Sequence, residues 1–180
     1  MIDQSLVKLR PYNITVHSDT GFYTFQTDQN IEYSCHFSNV MAMLPPLLGI
    51  YDIEVRDFLF YPYDPEPNIR KKQDPRVAVT IRHLLSNHFF IKPERVIVYT
   101  CDDSDGSVRG FCRQKLFNNW YKELNDVLIR HELEVDIERD FGVETTYGGV
   151  IIRNDFPYPE ILKTQLIDIA AGVIIEKFGN

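Results

Sequence analysis

Three carboxylates and a glycine close an apolar run in Val96-Ile97-Val98-Tyr99-Thr100-Cys101-Asp102-Asp103-Ser104-Asp105-Gly106. Asp102, Asp103 and Asp105, spaced by one and two residues, could together reach a hard cation such as Mg²⁺. The end of an inner strand is also where open α/β sheets place ligands. Arg109 and Arg113 follow, four residues apart, and so share one face of a helix. Guanidinium forks there could grip a phosphate or carboxylate. This is the chemistry of a metal-dependent phosphoester hydrolase, with acids as metal ligands and arginines as phosphate clamps. The same residues have a simpler use. Ser104 or Asp105 caps the helix, Gly106 lets the chain turn, and acids favour a helix N-terminus. The arginines then neutralise Asp102, Asp103 and an acidic strand face of Glu132, Glu134 and Asp136. An EF-hand is excluded: with Cys101 at position one, Gly106 holds position six, but Cys112 falls at twelve.

Other reactive side chains form no complete constellation. The five histidines include no helical i, i+4 zinc pair, since His83 and His88 are off by one. His88 and His131 fall on expected inner faces, where a hydrogen-bonded core histidine is ordinary. The three cysteines, Cys35, Cys101 and Cys112, are odd in number and widely spaced, which suits reduced thiols in a cytoplasm. Cys101, at a strand end, is the thiol best placed for a Cys–His pair. There is no Gly-x-Ser-x-Gly elbow and no phosphate-cradling glycine loop. Tyr147-Gly148-Gly149 signals a bulge or a close approach on a strand. Arg70, Lys71, Lys72 and Arg76 make up the one basic run, beside a loop from Tyr61 to Asp74 stiffened by Pro62, Pro65 and Pro67.

Composition narrows the function classes. The 180 residues carry a formal charge of -7, which opposes a sequence-independent grip on nucleic acid. With 44% hydrophobic and 13% aromatic residues the chain can bury a sizeable core. The length suits a single domain over residues 1–180. The start, Met1-Ile2-Asp3-Gln4, is polar and does not read as a secretory leader, and no apolar run reaches the ~18 residues of a membrane span. A cytoplasmic location is therefore expected.

These candidates must be positioned by alternating and helical patterns. Tyr12, Ile14 and Val16 alternate with polar neighbours; Phe22–Gln26 and Ile31–Phe37 follow after turn residues, and Ile53–Tyr61 reads as a fourth strand. Asp74-Pro75 opens a helix, with Val77, Ile81, Leu84, Leu85 and His88 inside and an end before Lys92-Pro93. Val96–Thr100 reads as an inner strand covered on both faces. Ser107–Leu124 reads as a helix with Val108, Cys112, Leu116, Trp120 and Leu124 inside. Ile129–Glu138 alternates cleanly with an acidic outer face, Tyr147–Arg153 is another strand, and Tyr158–Phe178 a closing helix. The order predicts an α+β fold: a largely antiparallel sheet, begun by an N-terminal meander, with about three helices packed on it. A helical crossover could make the middle strand parallel to a neighbour.

The turn Cys101–Gly106, then Arg113, Leu116-Phe117-Asn118 and Trp120-Tyr121, resembles an uncharacterised family of small bacterial proteins, mostly from the Bacteroidota, with a domain of unknown function. The Tyr/Phe-rich hairpin start and Ile151-Ile152-Arg153-Asn154-Asp155 are also similar. Here Asp103 stands where the family pattern has serine, and Ser107 where it has a basic residue. The resemblance implies no activity. The residues alone favour a non-catalytic protein-binding or regulatory module without a cofactor, using the Pro-rich loop and Arg70-Lys71-Lys72 for a protein partner. The hydrolase, with Mg²⁺ on Asp102, Asp103 and Asp105, is the alternative.

Overall fold

A computed structural model describes residues 9–17, 21–40, 53–66, 72–101, 109–124, 126–139, 142–156 and 160–178. The side chains of residues 109–113, 123, 139 and 161–163 are not among those described. Seven strands form one sheet: β1 (Thr15–His17), β2 (Phe22–Gln26), β3 (Glu32–Asn39), β4 (Glu54–Tyr63), β5 (Arg95–Cys101), β6 (Leu128–Arg139) and β7 (Gly142–Arg153). Three helices are described: α1 (Pro75–Ile91), α2 (Arg109–Tyr121) and α3 (Glu160–Phe178), with a 3₁₀ turn at Lys122–Leu124. The order across the sheet is β1-β2-β3-β4-β5-β7-β6. All neighbours are antiparallel except β4 and β5, which pair in parallel across α1. This is the expected α+β class with its meander.

The chain reaches β6 from β5 through α2, and β7 then folds back between them. Two antiparallel steps make β6 run parallel to β5. Both crossover helices lie on one face. There α1 and α2 bury Phe37, Phe58, Ile97, Tyr99, Ile81, Leu85 and Phe117 in a common core. On the opposite face Val55, Val96, Val98, Val150 and Ile152 meet Leu166, Ala170 and Val173 of α3. The continuous apolar run of β5 is thus covered on both faces, as its composition requires.

Local chemistry explains the element ends. Asp74 caps α1, its Oδ1 accepting from Arg76 N at 2.9 Å, with Pro75 at the first helical position. The helix stops at Ile91, before Lys92-Pro93. All five expected inner residues of α1 are buried. Aromatic rings bind the meander to the helices in a row: Tyr12, Phe25, Tyr33, Phe60 and Trp120 contact in sequence at centroid distances of 5.1 to 6.0 Å.

Several boundaries differ from the sequence reading. The first strand holds only Thr15–His17, so Tyr12 and Ile14 precede it. β4 runs on to Tyr63, so the Pro-rich loop begins later than Tyr61. Pro62 is tolerated because β5 pairs only with Glu54–Phe58, leaving the end of β4 with a partner on one side. Among the described side chains of α2 the buried ones are Gln114, Phe117 and Tyr121, while Leu116 and Trp120, and Leu124 beyond it, are half-buried. The inner stripe is turned by about one residue because Phe117 stacks on Tyr99 of β5, at 4.4 Å between centroids. Val108 and the Cys112 side chain lie outside the described residues.

Candidate functional site

The fully described polar cleft lies between α2 and the edge strand β6. Residues i, i+4 and i+7 share a helix face, so Gln114, Asn118 and Tyr121 turn together toward the sheet. Opposite them, β6 alternates and sends Arg130 and Glu132 to the same side. Between them β7 contributes Gly149, which pairs with Tyr99 on β5 and with Glu132 on β6. Having no side chain there lets the Tyr99 phenol cross over β7 toward β6. A Cβ at residue 149 would lie 2.6 Å from Tyr99 Oη and 2.5 Å from the His131 carbonyl oxygen. Gly148 faces the other way, where a Cβ would lie 2.9 Å from Ile174 Cδ1 of α3. The Tyr147-Gly148-Gly149 signal therefore marks a close approach on both faces. The pairing register runs through it without a bulge.

The cleft has a volume of about 460 Å³ and is lined by Lys115, Asn118, Asn119, Tyr121, Lys122, Arg130 and Glu132. Arg130 donates through Nη1 to Asn118 Oδ1 and through Nη2 to Glu132 Oε1. Asn118 Nδ2 donates to the same Glu132 oxygen at 2.9 Å. The Arg130 guanidinium also lies 5.3 Å from the Tyr121 ring centroid. Beneath this triad, polar atoms are left over. Tyr99 Oη, Tyr121 Oη, Gln114 Nε2 and Arg130 Nε are buried and make no hydrogen bond.

Burial pushes both phenols well above their ordinary pKa, with Arg130 opposing the shift in each and Tyr99 adding to it at Tyr121. Arg130 is thus near enough to act on the Tyr99 hydroxyl. Both hydroxyls keep their protons at neutral pH and act as donors.

Of the residues singled out from sequence, Asp102, Asp103 and Asp105 lie outside the described residues, as do Arg70, Lys71 and the side chains of Arg109 and Arg113. Among the described residues no three His, Cys, Asp or Glu side chains gather to hold a metal ion. Lys72 is held by its backbone: its N–H donates to Gln29 Oε1 at 3.0 Å and its carbonyl accepts from Gln29 Nε2 at 2.8 Å. The acidic strand face is partly committed, Glu132 to Arg130 and Asn118, and Asp136 to the Thr145 hydroxyl at 2.8 Å. Cys35 and Cys101 are buried, and burial drives the Cys35 thiol up to about 12. His88 is buried and His131 half-buried.

A second cleft, beside β1 and β2, differs in kind. Its Arg76 lies 3.8 Å from the Tyr12 ring centroid and pairs with Asp28 at 2.9 Å, while Tyr12 Oη donates to Asp74 Oδ2 at 2.6 Å. Those groups satisfy one another and serve the fold.

The model of a family of unknown function, DUF6169, matches residues 73–164, slightly more than half of the chain. The chain belongs to this family. No curated protein matches it, and no solved structure does. The stretch matched to DUF6169 runs from the cap of α1 into α3 and holds every residue lining the α2–β6 cleft. The meander strands β1 to β4 lie before it.

Sequence reading passed over this cleft. In the sequence Phe117, Asn118, Trp120 and Tyr121 stand out only by resemblance, and Arg130 and Glu132 only as parts of an outer strand face. The usable signals were the polar i, i+4, i+7 set Gln114, Asn118 and Tyr121, and a lone arginine opening an acidic alternation. Neither signal reveals that helix and strand face each other.

Proposed function

We propose that this DUF6169 protein is a non-catalytic binding module that takes its ligand in the cleft between α2 and β6. One observation carries the reading: two residues that line a single cleft, Tyr121 and Arg130, each hold a buried polar side-chain atom without a hydrogen-bond partner, Oη and Nε. Each such atom costs about 1–3 kcal/mol when left unmade, and buried polar groups are otherwise nearly always paired. A ligand that accepts hydrogen bonds would offset that cost. The non-catalytic part of the reading is supported by the chemistry of these groups. The phenols are held protonated and are poor bases. The carboxylate of Glu132 is engaged by Arg130 and Asn118.

Removal of the two hydroxyls tests the reading. A hydroxyl with a structural partner is missed when deleted, whereas one kept for a ligand is not. Tyr99→Phe and Tyr121→Phe are expected to leave stability unchanged or to raise it by up to about 1 kcal/mol, measured by urea denaturation. A loss of more than about 1 kcal/mol in both variants would show that the hydroxyls serve the fold, and the reading would be wrong.

A further inference from the structure

We infer that the ligand is an extended segment of a partner protein, added as a strand to the outer edge of β6, with an acceptor side chain in the cleft and lysines or arginines beyond it. The inference rests on the binding reading above. Backbone is the first argument. β6 ends the sheet, and among the described residues its only strand partner is β7. Its twelve residues, Leu128–Arg139, exceed the usual strand of about 5–6. The register with β7 is continuous from end to end, with no proline or bulge to blunt the outer edge. Such an edge is the template on which a strand from another chain adds.

Side-chain charge is the second argument and chooses the occupant. One face of β6 packs under α3 through Ile129, Leu133, Val135 and Ile137. The other face, by alternation, carries Glu132, Glu134, Asp136 and Glu138, all exposed. A second copy pairing antiparallel would set Glu134 opposite Glu134 or Asp136, and Glu132 opposite Asp136 or Glu138. Like charges directly opposite destabilise a strand pair. A strand with lysine or arginine at alternate positions places opposite charges there instead. The edge therefore refuses its own copy and accepts a basic segment.

The cleft is the third argument, and it sets what the segment carries at one end. The cleft lies against Arg130 and Glu132, at the start of β6. An added strand runs about 4.8 Å beyond its neighbour, so its residue beside Arg130 points to the side that α2 overhangs. Tyr121 and Arg130 line that space, and Tyr121 Oη and Arg130 Nε are buried donors without hydrogen-bond partners. Tyr121 is only 4% exposed. An amide or carboxylate oxygen on the added strand would meet these donors. The segment thus has an acceptor side chain at the cleft and cations along Glu134 to Glu138.

The test is amide hydrogen exchange of the full chain, read by NMR at one ionic strength, with synthetic peptides of about ten residues. The first alternates lysine with threonine and has asparagine near its C-terminus, since antiparallel pairing is the stronger. The second has glutamate for each lysine. The third is the first with alternate backbone nitrogens methylated, so that it keeps its charge and cannot donate to β6. The lysine peptide is expected to slow the β6 amides that do not bond to β7 by about fivefold or more, and the other two are not. The double variant Glu134→Lys, Glu138→Lys changes exposed side chains and should abolish the effect. Alanine for the peptide's asparagine should weaken binding to wild type and not to Tyr121→Phe. No slowing by the lysine peptide, equal slowing by the methylated one, or an equal loss from alanine in both proteins would overturn the proposal. If no peptide protects β6 while Tyr99→Phe and Tyr121→Phe keep their stability, strand addition fails and the binding reading stands. If both variants also lose stability, the binding reading falls with it.

Discussion

At the scale of single residues, the site depends on an atom that is missing. Gly149 carries no Cβ, and the Tyr99 ring fills the space above it, with Phe117 stacked on its far side. In Gly149→Ala the new carbon would meet the His131 carbonyl oxygen at 2.5 Å, Tyr99 Oη at 2.6 Å and Tyr99 Cε1 at 2.8 Å. The phenol could swing aside, but the carbonyl belongs to the β6 backbone and cannot. The expected loss is about 1–3 kcal/mol, as for other overpacked positions, read as a lower urea midpoint at constant slope. Gly172→Ala is the control. It is exposed on α3 with nothing within 4 Å of the added carbon, so it should gain up to about 1 kcal/mol from helix propensity. Equal midpoints for the two variants would contradict this account of Tyr99.

At the scale of elements, helix ends were legible and helix rotation was not. Asp74-Pro75 names the start of α1 from local chemistry alone, because a cap and a fixed φ need no tertiary partner. That cap also reaches outward, since Asp74 Oδ2 accepts from Tyr12 Oη at 2.6 Å. Asp74→Ala should therefore lose both the cap and the tie to the N-terminal segment, about 1–2 kcal/mol. Asp74→Asn, which can still cap, should lose less. A differential-scanning comparison checks the order of the three proteins, and equal Tm values would deny the cap its role. For α2 the apolar spacing of Leu116, Trp120 and Leu124 pointed to one face, yet Gln114, Phe117 and Tyr121 are the buried set among its described side chains. A half-polar stripe is hidden from hydrophobic patterning when its polar heads are destined for a cleft.

At the scale of the whole molecule, burial makes His88 a pH-sensitive position. His88 of α1 stacks on Phe37 of β3 at 4.0 Å between centroids. Burial first, then the charges of Arg95 and Arg56, lower its pKa to about 3, with Glu54 opposing. The folded value lies below the ordinary 6.5, so the unfolded chain takes up a proton that the folded one refuses. This contribution is fully present above pH 6.5 and is lost as pH falls from 6.5 toward 3. The slope from one proton is at most about 1.4 kcal/mol per pH unit. Burial raises Glu54, but its pairs with Arg56 and Arg95 outweigh this and hold it below the ordinary 4.5. Its own contribution is therefore lost only in a more acid window. Stability measured between pH 7 and 5 should fall in the wild type and flatten in His88→Leu. An unchanged slope in the variant would remove His88 as the cause.

The sequence by itself determined the α+β class, the order of the described elements, the covered inner strand β5 and the cap of α1. These follow from periodicity and from residues that act on their own backbone. It also flagged Gly148 and Gly149 as a bulge or a close approach, and the unbroken register and tight neighbours of the structure chose the second. Tertiary structure alone decided that β7 folds back between β5 and β6, and that Tyr99, Tyr121 and Arg130 meet. These three residues come from three elements and lie up to 31 positions apart. Their burial and mutual electrostatics arise only when α2 is laid across the sheet, and no local spacing encodes that.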